Sequence, residues 1–269
     1  MKIAYASDLH LEFGEINPEQ LIADADYLFL AGDIAEARSF GKSMLPESGD
    51  YQEWQSKLTH LFDAVSKHYK CVFMVLGNHE YYHSRIGKAE NIISTFCRQY
   101  PNVFMLQDKC ADLEGKKLYG ATMWTDMGIG SKDPLIEYKL KMRMNDFRLI
   151  TYQSSTRGFA KFSPHNAAAI HNMCLRKLKK EQPDIILQHH APAQGSVPEI
   201  YKGSDLNPAY VSSQLEDMLI DEISPKLIVH GHIHGKADYF WSNTRVVSNS
   251  RGYVGMEDTD GYKVQVVEI

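Results

Sequence analysis

Five short clusters of metal-ligating residue types close apolar runs in this chain: Asp8-Leu9-His10, Gly32-Asp33, Gly77-Asn78-His79-Glu80, His189-His190 and Gly231-His232-Ile233-His234. Carboxylate, amide and imidazole together make the ligand set of a catalytic two-metal site, whereas structural zinc sites draw on cysteine. Two cations about 3.5–4 Å apart can hold a hydroxide, lower its pKa and neutralise phosphoryl oxygens. Mixed nitrogen and oxygen ligands suit Mn, Fe, Zn, Co or Ni. The residues must first meet. Strands of one sheet end side by side, so ligands at several strand ends can converge on one pocket.

Taken singly, Asp-x-His or Gly-Asp after a strand is ordinary turn chemistry. Five such clusters, closing runs at residues 2–7, 27–31, 72–76, 185–188 and 227–230, are not explained by turns. Leu58, Leu61, Phe62, Val65 and Tyr69 predict a helix over residues 52–69. Residues 71–76 form a nearly continuous apolar run, a strand buried on both faces. Ile92, Ile93, Phe96 and Tyr100 mark a helix over 86–100, and residues 103–106 a further strand. Strand-helix alternation implies right-handed crossovers and a largely parallel sheet.

Strands 110–113 and 117–121 flank Glu114-Gly115-Lys116, a hairpin signal. Residues 125–162 are polar and irregular, and read as a surface insertion forming one wall of the site. Ser163 as N-cap and Pro164 at the first helical position open a helix to about residue 180. Pro183 stops it before a strand at 184–188. A helix follows at 207–220. Strands follow at 227–230, 237–241, 244–248 and 262–269, the last with Val264 and Val266 as its apolar alternation. No linker, repeat or low-complexity stretch interrupts the 269 residues, which read as one α/β domain.

Hydrophobic content of 43% and charged content of 23% describe an ordinary globular chain. The net charge of −5 argues against a general nucleic-acid coat. Cys71, Cys97, Cys110 and Cys174 form no C-x-x-C pair and suit free thiols in a reducing cytoplasm. The apolar start is too short for a signal peptide, and no run approaches the roughly 18 residues of a membrane span.

In its order and spacing, D-x-H, G-D, G-N-H-E, H-H and G-H-x-H from Asp8 to His234 resembles the calcineurin-like metallophosphoesterases. The resemblance implies a four-layer α/β/β/α sandwich with two divalent ions (Mn, Fe, Zn or Ni) at the sheet edges. It implies Asp8, His10 and His234 as ligands of one ion. Asn78, His232 and one of His189 or His190 would hold the other, and Asp33 would bridge. The family's ligand usually comes first after the strand, which favours His189. His190 would then orient a ligand or face substrate. His79 resembles the family's catalytic histidine, and Glu80 a residue that supports the ligands. His230 reads as a core or supporting residue.

The protein Ser/Thr phosphatase branch continues its second motif as G-D-x-V-D-R-G. Here the run is Gly32-Asp33-Ile34-Ala35-Glu36-Ala37-Arg38, which departs from it. The expected activity is hydrolysis of a phosphodiester or small nucleotide-type phosphoester. The alternatives are a phosphomonoesterase or pyrophosphatase, or a weakly catalytic metal-bound scaffold. Long nucleic acid, a membrane and an obligate protein partner are not expected. Arg143, Arg148 and Arg251 are candidate substrate contacts because guanidinium suits phosphate oxygens. Lys202, Asn207 and Asn249 are further ones. Tyr81, Tyr82 and Trp124 could stack on a base or pack in the core.

Overall fold

The computed structural model describes residues 1–41, 49–131, 133–154 and 158–269. The chain begins with β1 (Lys2–Ala6), β2 (Tyr27–Ala31), α1 (Ala37–Phe40), α2 (Gly49–His68) and β3 (Cys71–Val75). Next come α3 (Ile86–Cys97), β4 (Val103–Met105), β5 (Lys109–Leu113) and β6 (Lys116–Ala121). They are followed by α4 (Ile136–Arg143), α5 (Asp146–Leu149), β7 (Thr151–Ser154), β8 (Gly158–Lys161) and α6 (Pro164–Glu181). The last elements are β9 (Ile185–Gln188), α7 (Ser213–Asp221), β10 (Leu227–His230), β11 (Lys236–Trp241), β12 (Thr244–Asn249) and β13 (Gln265–Glu268).

Two large sheets result, ordered β13-β1-β2-β3-β4 and β11-β12-β10-β9-β6-β5, with β7 and β8 paired apart from them. Within the first, β1 to β4 run parallel; in the second, β6, β9, β10 and β12 do. Alternate residues of each inner strand go to opposite faces, and both faces are buried. Ile3, Tyr5, Phe29, Phe73, Ile185, Leu187, Leu227 and Val229 fill the space between the sheets. Leu28, Leu30, Val72 and Met74 face the other way, against Leu58 and Phe62 of α2 and Ile93 and Phe96 of α3. Ile186 and Ile228 meet Leu175 and Leu178 of α6 and Leu215 and Leu219 of α7. The layers are therefore helix, sheet, sheet, helix. Each fully buried aliphatic or aromatic side chain stabilises this stack by roughly 1.5–3 kcal/mol.

Three expectations need correction. Residues 125–162 are not irregular, although positions 132 and 155–157 lie outside the described residues, and Arg143 to Asp146 do line the cavity. The segment holds α4, α5 and the β7–β8 hairpin. Leu140, Phe147, Ile150 and Phe162 join the helix-side core. The helix read over 207–220 is a 3-10 turn, Asn207–Ala209, followed by α7, which Ser212 caps through Leu215 N–H. The last strand is shorter than 262–269. Val267, not Val266, faces the core, because β13 pairs antiparallel with β1 and sets Val267 beside Ile3. Among the described residues no helix is long and apolar enough to cross a membrane.

Candidate metal centre

The parallel strands of both sheets end on the same side, and the five clusters begin there. Asp8 and His10 follow β1, Asp33 follows β2, and Asn78 and His79 follow β3. His189 follows β9, and His232 and His234 follow β10. The turns are unusual. Asp8, His10, Asp33 and His232 all take positive φ, from 45° to 68°. Left-handed backbone is uncommon for non-glycine residues and is retained where surrounding structure over-determines it. Hydrogen bonds do so here. Asp8 N–H donates to Gly32 C=O and His10 N–H to Asp33 C=O, each at 3.0 Å. The buried Glu80 carboxylate gathers the N–H groups of Gly77, Asp33 and Ile34 at 2.6, 2.9 and 2.7 Å. It thereby ties the end of β2 to the end of β3.

Three sets of side chains converge: Asp8, His10 and His234; His10, Asp33 and His79; Asp33, His189 and His232. Asp33 Oδ2 lies 3.7 Å from His10 Nε2 and 3.4 Å from His189 Nε2, so one carboxylate faces both halves of the site. The Asp8 carboxylate accepts His232 N–H at 3.0 Å and Ser250 Oγ–H at 2.8 Å. Asn78 Nδ2 donates to the Tyr82 hydroxyl at 3.0 Å, which turns Asn78 Oδ1 to His189 Nε2, also at 3.0 Å.

The donor chemistry tests whether cations fit. His10 Nδ1 sits 3.0 Å from Glu12, and His234 Nδ1 2.8 Å from Glu257. A carboxylate can only accept, so both rings carry a proton on Nδ1. Their Nε2 lone pairs then face each other at 3.1 Å, which repels unless positive charge stands between them. His189 repeats the pattern. Its Nδ1 donates to Ala31 C=O at 2.8 Å, leaving Nε2 against the acceptors Asn78 Oδ1 and Asp33 Oδ2. His232 Nε2 is buried without a partner among the described residues. The residues fit divalent cations.

Electrostatics agree. Burial works against a charged ring, yet Asp33 and Glu12 outweigh it and raise His79 to about 9. Against the same burial penalty, Asp33 raises His189 and Asp8 raises His234, each to about 9. Burial opposes ionisation of Asp8 and Asp33, but His234 and His189 respectively hold them well below the carboxylate range. The cluster is built to surround positive charge.

A cavity of about 930 Å³ opens over this floor. Asp33, Asn78, His79, His232 and His234 line its base, while Arg143, Tyr82, Asn207, Tyr210, Lys236 and Tyr253 line its walls. Ile200 and Tyr201, 82% and 59% exposed, stand at it as an apolar rim.

Several expected substrate contacts are elsewhere. Arg148 is exposed, bonds Asn145 and does not line the cavity. Arg251 reaches the cavity wall, but its guanidinium donates to the carbonyls of Leu9, Gly14 and Glu15. His190 is buried against Trp124 and His232, with Nδ1 on Thr122 C=O. Burial, then His189, pushes it down to about 3. Its ring packs against that of His232 and does not line the cavity. Asn249 is buried and bonds Tyr5 and Lys263 carbonyls, and Lys202 pairs with Glu199 away from the cavity. Tyr81 and Trp124 are core residues; of the three aromatics only Tyr82 lines the cavity. His230 is buried and bonds Ser196.

Glu12, Tyr253 and Glu257 were missed. Glu12 had a signal, since Asp8-Leu9-His10-Leu11-Glu12 alternates polar and apolar residues. Tyr253 and Glu257 lie in a loop beyond the last motif and had none.

Fold and site together define a metal-dependent hydrolase of phosphoesters. The profile of the calcineurin-like phosphoesterases matches residues 1–236, and the chain belongs to that family. An uncharacterized protein of Acanthamoeba polyphaga mimivirus is 24% identical, over 93% of this chain and 91% of that protein. The crystal structure of phosphopantetheinyl hydrolase from Mycobacterium tuberculosis shares the fold, with a TM-score of 0.69 at 14% identity. That match covers 99% of this chain and 95% of the other.

Proposed function

We propose that this chain is a two-metal phosphoesterase acting on a phosphodiester or small nucleotide-type phosphoester. Asp8, His10 and His234 hold one ion. Asn78, His189 and His232 hold the other, and Asp33 binds both. The observation that carries this is the pair of lone-pair confrontations, His10 against His234 and His189 against Asn78, on either side of Asp33. Each needs positive charge between the two atoms, which a proton on Nε2 supplies in the metal-free site and a bound cation would supply in its place. Bound divalent ions, with manganese as the working choice, supply Lewis acidity that activates water and neutralises phosphoryl charge.

The residues do the rest. Glu12 and Glu257 fix the ring tautomers of His10 and His234, and Ala31 C=O fixes that of His189. His79 sits at the cavity floor with Nε2 directed to the Tyr253 hydroxyl at 3.2 Å. From there it can protonate the leaving oxygen. Arg143 and Lys236 face the cavity with charge suited to phosphate. A cavity of this size accepts a small molecule. Four free cysteines suit a reducing compartment, the cytoplasm.

The test compares bis(p-nitrophenyl) phosphate with p-nitrophenyl phosphate, using protein stripped by chelator and reloaded with Mn²⁺. Metal-dependent turnover favouring the diester is expected. Preference for the monoester would replace the diesterase reading, and no turnover despite bound metal would favour a binding scaffold.

A further inference from the structure

Glu12 belongs to none of the five motifs, yet it touches two of them. Its Oε1 accepts from His79 Nδ1 at 2.8 Å and from His10 Nδ1 at 3.0 Å. The side chain is 12% exposed and its Oε2 meets no donor among the described residues. Among the described residues no other carboxylate takes its place. Glu36, in the second motif, is held by Arg38 Nε at 2.6 Å and His83 Nδ1 at 3.0 Å. Because a carboxylate only accepts, both rings keep a proton on Nδ1 and present Nε2. For His10, Nε2 goes to the ligand cluster. For His79, it goes to the cavity wall at Tyr253.

We propose that Glu12 is a positioning residue, one carboxylate that sets the tautomer and ring angle of both a metal-binding histidine and the proton donor His79. The proposal rests on the phosphoesterase reading above. In the reaction a water oxygen bonds to phosphorus as the phosphorus–leaving oxygen bond breaks. The bond's electron pair stays on the leaving oxygen, which takes the Nε2 proton of His79. The proton lost by water returns to the ring through solvent. Glu12 keeps its bond to Nδ1–H throughout and touches no reacting atom.

The leaving group separates positioning from structure. A p-nitrophenolate departs readily without a proton, and unsubstituted phenolate needs one. Wild type and Glu12→Gln, stripped and reloaded with Mn²⁺, would be compared on aryl phosphoesters spanning that range. The ratio of phenyl-ester to p-nitrophenyl-ester turnover, read at saturating Mn²⁺, should fall on the order of 100-fold. His79→Ala should show the same profile, and the double variant should be no slower than His79→Ala alone. Manganese affinity, read by titration, should weaken about 10–100-fold in Glu12→Gln, because His10 loses the carboxylate that orients it. Nitrogen-15 NMR of the metal-free wild type should find His79 protonated at Nδ1.

A uniform loss across the series would overturn the proposal, as would additive losses in the double variant. So would a wild-type His79 ring protonated on Nε2 alone, a reading that needs no variant to fold. No turnover of any ester by wild type would sink the phosphoesterase reading itself. Turnover with an unchanged leaving-group profile in Glu12→Gln would sink only the role of Glu12.

Discussion

Gly77→Ala should disable the site without unfolding the protein, and the geometry sets the size of the effect. A Cβ at residue 77 would lie 2.1 Å from Asp33 Oδ1 and 2.6 Å from Asp33 N. Ordinary contact begins near 3.4 Å, so the carboxylate must retreat by about 1.3 Å. The backbone cannot easily give, because Glu80 grips both Gly77 N–H and Asp33 N–H through one oxygen. Asp33 faces both ligand sets, so one methyl group disturbs both. A misplacement of about 1 Å in a reacting array costs roughly 100-fold in rate. The strain itself should cost about 1–3 kcal/mol of stability. The assay is Mn²⁺ titration by calorimetry, kcat/KM on the preferred p-nitrophenyl ester, and thermal unfolding. Gly87→Ala is the control. Gly87 lies in α3 with nothing within 4 Å of the added carbon, and alanine there should stabilise by about 0.5–1 kcal/mol. Wild-type metal affinity and rate in Gly77→Ala would refute the claim that Asp33 is held against that glycine.

Asp33→Ala should lose metal at both positions and more than about 100-fold in activity; wild-type rate at saturating Mn²⁺ would end the bridging assignment. Arg143→Ala should raise KM about tenfold, whereas Arg148→Ala should leave kinetics unchanged, because only Arg143 lines the cavity. Burial pushes His171 down to about 4 against the pull of Asp126, so it stays neutral when folded while an unfolded histidine titrates near 6.5. Its contribution is intact above about pH 6.5 and is lost as pH falls towards 4. Between pH 7 and 5, His171→Gln should therefore lose about 1–2 kcal/mol less stability than wild type in urea titrations, and parallel losses would exclude the effect. Phe29→Ala should destabilise by about 3–5 kcal/mol in the same assay, since Phe29 is fully buried edge-on to Phe73 between the sheets.

The elements legible in the sequence were those whose local pattern and tertiary role coincide. β2 and β10 match their predicted runs residue for residue, because inner strands buried on both faces are apolar nearly throughout, His230 at the end of β10 being the exception. The Ser163-Pro164 start of α6 was equally readable, since capping is a local interaction. Residues 125–162 misled because α4 buries little beyond Ile136 and Leu140, so its pattern is faint. In β13, Val266 and Val267 are equivalent until pairing with β1 selects one face. The arginines misled for a similar reason. Arg143, Arg148 and Arg251 are alike in sequence, and only the tertiary structure decides which meets solvent, cavity or carbonyl groups.

By itself, the sequence determined the candidate ligand types and their attachment to strand ends, because a strand that stops at a glycine or aspartate announces both locally. Only the tertiary structure decided how those ends share a centre. The left-handed turns at Asp8, His10, Asp33 and His232 are held by bonds to residues distant in sequence, chiefly through Gly32, Asp33 and the buried Glu80. Glu12 also meets His79, 67 residues away, and Glu257 meets His234 across 23, separations that no spacing rule encodes. Ring orientation is a property of the packed site, and it exists only once both sheets have brought their ends together.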